Sequence, residues 1–248
     1  MSRPRLHDAL SALFEQKDSK NLTEIFKHPS FADFTRLQRI PETGDEFIQA
    51  FIHKSFSHEF EVAHQEQLEF LGDAVLQLIL TEELYKRFPR EAEGRLSKLR
   101  SSIVNEKSLA TLARGLKLNE MILVGKGEFK KNLFEQDTVL ADTFEAMLAV
   151  IYRKNGLEFT RKILFQWLDQ FLPGVFENDL ESFDWKSQLQ EKTLAKFKTL
   201  PKYTSEERGQ SFLIELWIEG KKITEGIFPN KKAGEKELAE SVIKKGLI

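Results

Sequence analysis

The sequence predicts a helical domain followed by a smaller α+β domain, and three observations lead to this fold class. Apolar residues recur at helical spacing through most of residues 45–172. The composition then changes at residues 173–183, which contain a proline, a glycine and several acids and show weak periodicity. Further along, residues 212–218 place an apolar side chain at every second position, as a half-buried strand does.

Composition narrows the classes of function. A chain of 248 residues with 41% hydrophobic residues can form one large or two modest globular domains. It has no cysteine, which excludes a disulfide framework, a thiolate metal site and a cysteine nucleophile. The net charge of −2 gives no global attraction to polyanions, so any such binding must come from local patches. No apolar run approaches the roughly 20 residues that span a bilayer, and we expect a cytoplasmic protein without membrane contact.

Residues 1–44 are predicted to form an N-terminal helical extension. Leu6, Leu10 and Leu13 follow a helical stripe, which is typical of a short helix docked on a larger body. Pro29 and Pro41 keep any later helices in this region short. The pattern does not indicate a function for the extension.

Residues 45–172 are predicted to form the all-α domain. A long helix begins near Gln65 and ends before Pro89. Gly115 is predicted to end a later helix as its C-cap, and residues 125–132 have the glycines and charges of a surface loop. The predicted helices after the first are 94–104, 107–114, one that begins at Leu140, and 160–172.

The long helix carries an acidic face beside an apolar one. Glu66, Glu69 and Asp73 are spaced by three and four residues and therefore share a face. The apolar positions predicted to face the core are Leu68, Leu71, Val75 and Leu78. The acidic face therefore borders the core.

A second helix repeats this acidic pattern. Within residues 140–151, Asp142 and Glu145 stand three positions apart among apolar residues. If the two helices face each other, they bring together four carboxylates, which we call the acidic cluster: Glu69, Asp73, Asp142 and Glu145. Such a group requires a cation, and oxygen ligands without thiolates favour Mg²⁺ or Mn²⁺. A hard metal with open positions suits phosphodiester hydrolysis.

Two other interpretations fit the same spacing. Acids three or four positions apart on a helix are usually a solvated face. A di-iron carboxylate bundle would need a Glu-x-x-His pair on two helices, and neither Glu69 nor Asp142 has a histidine three residues on. The spacing alone favours a hard-metal site without identifying the reaction.

Residues 184–248 are predicted to form the second domain after a linker at residues 173–183. The pattern runs helix, strand, strand, strand, helix, that is α-β-β-β-α, with a helix at 185–197 and another from Lys231 to Lys245. The expected strands are 202–205, 212–219 and 222–228. This region has 13 Lys and Arg against 10 Asp and Glu, a slight basic excess.

The stretch His64-Gln-Glu-Gln-Leu-Glu-Phe-Leu-Gly-Asp-Ala-Val-Leu76 closely resembles the signature of the ribonuclease III family, and 140–146 resembles that family's second acidic motif. The resemblance implies that the helical domain has the ribonuclease III fold. Gln65 stands where the family usually has asparagine and Gln67 where it usually has arginine, but no implied ligand is lost. The implied metal-binding acids are Glu69, Asp73, Asp142 and Glu145, of which Asp73 and Glu145 are the catalytic pair, and Glu66 is an auxiliary acid.

This resemblance also implies an activity. Family members are homodimeric, Mg²⁺-dependent endoribonucleases of double-stranded RNA that leave 5′-phosphate and 3′-hydroxyl ends with short 3′ overhangs and act in rRNA and mRNA processing. Mn²⁺ is expected to substitute for Mg²⁺. The alternative is a catalytically silent relative that binds double-stranded RNA or ribosomes. Such relatives normally lack metal ligands, and all four implied ligands are present here.

The second domain resembles the double-stranded RNA-binding domain, which reads the shape of A-form RNA. The family's Gly-Pro-x-His loop is absent, and the corresponding stretch near Gly209 is short. We therefore expect weaker RNA binding by this domain alone. The residues that the resemblance assigns to RNA contact are Gln188, Glu191, Lys231, Lys232 and Lys236, and Arg208 is expected to replace part of the missing loop.

Overall fold

The computed structural model describes residues 6–16, 19–41, 43–44, 46–176, 185–209 and 211–248. The chain divides into two compact units, Met1–Val175 and Phe176–Ile248. The first is helical and the second contains a three-stranded sheet with helices, which confirms the predicted fold class. Most of the expected linker, residues 173–183, lies outside the described residues.

Helices account for most of the first unit. Short 3₁₀ turns at Leu118–Glu120 and Leu133–Glu135 connect some of them. The helices are α1 Leu6–Gln16, α2 Ser19–Phe26, α3 Pro29–Leu37, α4 Glu46–Gln49, α5 Lys54–Phe60, α6 Glu66–Arg87, α7 Glu93–Ile103, α8 Glu106–Gly115, α9 Lys126–Lys130 and α10 Asp137–Phe171.

Helix α6 packs along α10, and this contact forms the centre of the unit. Its buried residues are Leu68, Gly72, Val75, Leu76, Ile79, Leu80 and Leu84. The prediction for Leu78 was wrong, because 48% of this side chain is exposed. Leu78 lies eight residues after Phe70, so it shares a solvent-facing side of the helix with that residue.

Helix α10 contains the two predicted C-terminal helices, which meet at a kink. Gly156 at the kink has φ 79° and ψ 172°, a conformation that residues with side chains rarely adopt. The helix begins at Asp137 rather than at the predicted Leu140. Arg114 Nη2 lies 2.7 Å from Asp137 Oδ1, and this ion pair joins the first turn of α10 to the end of α8.

Two predictions about glycine-containing segments were wrong. Gly115 lies in the last turn of α8, and the left-handed residue is Lys117, with φ 59°. Gly115 serves close packing instead, since a Cβ there would lie 2.4 Å from the Phe171 ring. The predicted surface loop at 125–132 contains a helix, α9, whose first residues follow Gly125.

The N-terminal helices pack onto the helical unit. Leu6, Leu10 and Leu13 of α1 are buried. The Trp167 Nε1 of α10 donates a 2.8 Å hydrogen bond to Gln38 Oε1, just after α3. The apolar stripe predicted for the N-terminus is therefore part of the core. No helix in the described parts of the chain is long and apolar enough to cross a membrane.

In the second unit an antiparallel sheet packs against two helices. The three strands lie side by side in chain order, and the first pairs with the second through to Arg208 and Ser211. The buried core includes Trp185, Ile214 and Val242. The elements are α11 Trp185–Phe197, β1 Lys202–Arg208, β2 Ser211–Ile218, β3 Lys221–Phe228 and α12 Lys231–Lys244.

Candidate active site

The two acidic helices meet where α6 has a glycine. A Cβ built on Gly72 would lie 1.9 Å from the backbone oxygen of Glu145, so only a glycine allows α6 and α10 to approach this closely. Asp73 follows Gly72 directly, and Glu69 lies one turn earlier. The close contact therefore brings the acids of α6 beside Asp142 and Glu145 of α10.

Electrostatic interactions connect the members of the acidic cluster. Burial raises the pKa of Glu145 to about 8, and the charges of Asp73, Asp142 and Glu69 add to this increase. Burial also raises the pKa of Glu69, with Asp142 as the next cause. The side chains predicted to come together do lie close enough to repel one another.

The structure also shows what the acidic cluster lacks. Among the described residues, no group of three His, Asp or Glu side chains is arranged so that it could hold a metal ion. Gln77 Nε2 donates a 3.3 Å hydrogen bond to Asp73 Oδ1, one turn back in α6, so this carboxylate has a partner outside the acidic cluster. In charge and donor type the four carboxylates fit a hard divalent cation, although their present arrangement is not that of a formed site.

Two charged residues border the acidic cluster. Lys54, in the first turn of α5, places Nζ 3.5 Å from Glu66 Oε1, and both side chains are more than half exposed. The charge of Lys54 also acts to lower the pKa values of Glu69 and Asp142, against the stronger effect of burial. Glu66, the expected auxiliary acid, therefore lies at the exposed edge of the cluster with a cation beside it.

A further acid was missed in the sequence. Burial is the main cause that raises the pKa of Asp142, and the charge of Glu106 is the second. Glu106 begins α8, after Asn105, whose side chain accepts a hydrogen bond from the Ser108 backbone. A helix N-terminus is a favourable place for an acid on electrostatic grounds alone, so its position did not assign Glu106 to the site. The available signal was that residues 103–106 also fit the pattern of the ribonuclease III family.

The residues expected to contact RNA lie on several elements of the second unit. Gln188 and Glu191 belong to α11, and Arg208 is the last residue of β1. The remaining three, Lys231, Lys232 and Lys236, are exposed on α12. Asn230 caps that helix by accepting a hydrogen bond from the Ala233 backbone. The lysines therefore stand at or near the positive end of a helix.

One of these lysines also packs on an aromatic ring. Lys231 Nζ lies 5.0 Å from the centroid of the Phe212 ring, at the start of β2. Arg208 Nη2 lies 3.3 Å from Glu206 Oε2, and both side chains are exposed. The short turn that the sequence indicated is present, because β1 ends at Arg208 and β2 begins at Ser211.

Comparisons with known proteins match both units. The family described as Ribonuclease-III-like matches residues 45–170, and the Double-stranded RNA binding motif matches residues 185–245. A protein of Streptococcus pneumoniae strain CGSP14 named Ribonuclease 3 is 36% identical over 237 residues, which cover 92% of this chain and 98% of that protein. A Pseudothermotoga lettingae protein of the same name is 38% identical over 207 residues, 79% of this chain and 87% of its own.

A solved structure supports the fold of the first unit. The nuclease domain of ribonuclease III from Campylobacter jejuni has a TM-score of 0.53 and 36% identity, and the match covers 56% of this chain and 96% of that one. Its published description refers to structural flexibility in a region involved in dimer formation.

The helical unit with its acidic cluster and the sheet-containing unit with its RNA-binding match together define an endoribonuclease as the class of this protein. The chain belongs to the ribonuclease III family.

Proposed function

We propose that this protein is an Mg²⁺-dependent endoribonuclease that hydrolyses the phosphodiester bonds of double-stranded RNA. The observation that supports the proposal is the close approach of Gly72 to Glu145, beside which acids of two helices lie near enough to raise the pKa of Glu145. Solvent exposure alone does not explain such a cluster, because Glu145 is partly buried and its pKa is raised to about 8. Mn²⁺ is expected to replace Mg²⁺, since both prefer oxygen ligands.

The proposed roles of the acids follow from their positions. Glu69, Asp73, Asp142 and Glu145 would hold the divalent cation, with Asp73 and Glu145 closest to the chemistry. When bound, such a cation activates a water molecule and offsets charge on the phosphate. Glu66 at the exposed edge would be an auxiliary acid, with Lys54 Nζ 3.5 Å from its Oε1.

The second unit would hold the duplex. Lys231, Lys232 and Lys236 are placed to contact phosphates at the start of α12, where the helix end adds positive potential. Gln188 and Glu191 on α11 would reach the minor groove, and Arg208 would lie beside the short turn. Because only two residues separate β1 from β2 along the chain, this connection offers less surface to RNA than a longer loop would.

The protein is proposed to act as a homodimer through α6. Phe70 is 83% exposed, Tyr85 is 72% exposed and Leu78 is 48% exposed. These three apolar side chains follow one another at intervals of eight and seven residues, so they form a stripe along one side of the helix. A stripe of large apolar side chains facing solvent is typical of an interface, and a second copy of α6 would cover it.

The proposed domains are an N-terminal extension at 1–44, the nuclease domain at 45–172, a linker at 173–183 and the RNA-binding domain at 184–248. In a dimer each subunit would cut one strand, which gives 5′-phosphate and 3′-hydroxyl ends with short 3′ overhangs. Processing of rRNA and mRNA in the cytoplasm is the proposed setting.

One experiment tests this function. Purified protein is incubated with duplex RNA and with single-stranded RNA of the same sequence, in Mg²⁺ or in EDTA, and the products are separated on a denaturing gel. We expect cleavage of the duplex in Mg²⁺ alone. Duplex binding without cleavage in Mg²⁺ or Mn²⁺ would instead identify the silent relative.

A further inference from the structure

A buried polar pair joins the two helices that carry the acidic cluster. Gln65 directly precedes α6, and Thr143 lies in α10 between Asp142 and Glu145. The Gln65 residue is 2% exposed and Thr143 is 0% exposed. Thr143 Oγ1 lies 3.1 Å from Gln65 Oε1, so the two helices are bonded to each other inside the core.

The Thr143 hydroxyl lies close to a second oxygen as well. Thr143 Oγ1 also lies 2.8 Å from the Val139 carbonyl oxygen, one turn back in α10. A hydroxyl has one proton, which it gives to one oxygen at a time. If the Gln65 amide is rotated by 180°, its NH₂ group donates to Oγ1 while Thr143 donates to Val139. Both contacts are then hydrogen bonds at once.

This bond acts close to the acids. Gln65 lies one helical turn before Glu69, and Thr143 is the immediate neighbour of Asp142. The Gln65 backbone N–H donates a 3.0 Å hydrogen bond to the Ile52 carbonyl, which holds the start of α6 from the other side. A shift of Gln65 relative to Thr143 would therefore move Glu69 relative to Asp142.

The directional nature of the bond distinguishes it from its apolar surroundings. Apolar packing between α6 and α10 is non-directional, whereas a hydrogen bond weakens steeply when its length or angle changes. The close approach at Gly72 sets the separation of the helices. The Gln65–Thr143 bond adds a second fixed point and so sets how far α6 is slid and rotated along α10.

We propose that Gln65 and Thr143 are positioning residues for the acidic cluster. Their bond holds α6 and α10 in the register from which the four carboxylates converge on a divalent cation. This inference rests on the proposed function. Loss of the bond leaves the apolar contact of the helices in place but allows small relative shifts, and metal affinity falls more than stability does.

Substitution at Thr143 tests the proposal without RNA or turnover. Binding of Mn²⁺ alone to the full-length protein is measured by isothermal titration calorimetry, and thermal unfolding by circular dichroism. Thr143→Val keeps the shape and removes the hydroxyl, and we expect Mn²⁺ to bind at least about tenfold more weakly. Thr143→Ser keeps the hydroxyl and is expected to stay within about threefold of the wild-type affinity.

Thr160 provides a matched control in the same helix. It is also 0% exposed, and its hydroxyl donates a 2.8 Å hydrogen bond to the Gly156 carbonyl one turn back. Thr160→Val therefore removes the same group from a buried site without touching the bond to α6. We expect its affinity for Mn²⁺ to equal that of the wild type.

A second variant keeps the proposal testable if Thr143→Val does not fold. Gln65→Met retains the length of the side chain and removes its hydrogen bonds, and the same loss of affinity is expected. Where both single variants fold, the double variant should bind Mn²⁺ about as weakly as either one, since one bond is lost in all three.

The outcomes separate this inference from the proposed function. Wild-type affinity for Mn²⁺ in Thr143→Val, with or without a lower unfolding temperature, overturns the positioning role and leaves the proposed function intact. Failure of the wild-type protein to bind Mn²⁺ overturns the proposed metal dependence and the positioning role together.

Discussion

The backbone oxygen of Glu145 occupies the space that a side chain at Gly72 would need. The separation of 1.9 Å from a Cβ at Gly72 is far below any van der Waals contact, and the neighbouring atom belongs to helical backbone that cannot rotate away. Only the hydrogen atom that glycine has in place of a Cβ fits at position 72, so the close approach of α6 and α10 depends on Gly72. Glu145, on the other side of this contact, is itself a member of the acidic cluster. Glu145 therefore both limits how closely the two helices pack and is proposed to bind the cation.

Gly72→Ala is expected to separate the two helices. Inserting a methyl group into a packed interface costs about 1–3 kcal/mol, and contact with rigid backbone places this change at the upper end. Because Glu69 and Asp73 would move away from Asp142 and Glu145, cleavage of duplex RNA should fall at least about tenfold. Thermal unfolding and a cleavage assay measure the two effects.

Gly94→Ala is the control for this change. Gly94 lies in the first turn of α7, and a Cβ there would have no neighbour within 4 Å. We expect unchanged cleavage and equal or slightly higher stability, because alanine favours a helix over glycine. Equal behaviour of the Gly72 and Gly94 variants would show that the close contact is not needed.

Glu145→Gln should abolish cleavage while duplex binding persists. The amide retains the shape of the side chain but cannot lose a proton to provide the negative charge that a bound cation requires, which weakens the hold of the acidic cluster on the cation. Cleavage in Mg²⁺ should fall at least about 100-fold, as measured in single-turnover assays. Binding to the same duplex in Ca²⁺, measured by gel shift, should stay within about threefold.

Glu158→Gln serves as the control, because Glu158 lies in the same helix with its side chain 87% exposed. This variant should cleave at the wild-type rate. Retained cleavage in Glu145→Gln would remove Glu145 from the proposed mechanism.

Much of the site was predictable because acids leave a clear pattern in sequence. Spacing placed Glu69 with Asp73, and Asp142 with Glu145, on single helix faces, and the motifs connected the two helices. Spacing gives a face but does not say which helix lies opposite. That limit explains the error at Leu78, which fits an apolar stripe but faces solvent with Phe70.

Glycines and cross-helix bonds were harder to predict. Gly115 and Gly72 look alike in sequence, where a glycine indicates a turn or a close approach equally well. Only the position of Phe171 against Gly115, and of Glu145 against Gly72, decides between them. The Gln65–Thr143 bond spans 78 positions and gives no local signal.

Phe70→Ala is expected to weaken the proposed dimer. Phe70 is the most exposed of the three side chains in the α6 stripe, and a large aromatic residue in an interface often contributes 2 kcal/mol or more. The dimer dissociation constant should rise by a factor of about 30 or more. Analytical ultracentrifugation over a range of concentrations measures it.

Leu37→Ala is the control for the dimer. Leu37 is 75% exposed at the end of α3, outside the α6 stripe, and its loss should leave the association unchanged. Equal effects of the two substitutions would argue against α6 as the interface.

Replacement of Lys231 and Lys232 by alanine should weaken duplex binding and flatten its dependence on salt. Each phosphate contact releases about one counterion, so the slope of log K against log salt should decrease by about two. Fluorescence anisotropy with a labelled duplex at several KCl concentrations, in Ca²⁺, measures the slope.

Alanine at Lys244 and Lys245 removes the same charge from the other end of α12 and should leave the slope unchanged. Equal slopes for both double variants would exclude the contact.

His7→Phe should change how stability depends on pH. The His7 ring packs 5.4 Å from the Phe129 ring and 4.3 Å from the Phe134 ring. Burial lowers its pKa below the usual 6.5, against the raising effects of a bond to the Ile122 backbone and of three nearby acids, Glu135, Glu120 and Asp8.

As pH falls below about 6.5, the unfolded chain binds a proton that the folded protein resists, so stability is lost by at most about 1.4 kcal/mol per pH unit. Phenylalanine does not titrate, and urea unfolding between pH 7 and 5 should show a smaller decline in the variant. The same decline in both proteins would mean that His7 binds its proton equally well in the folded and unfolded states.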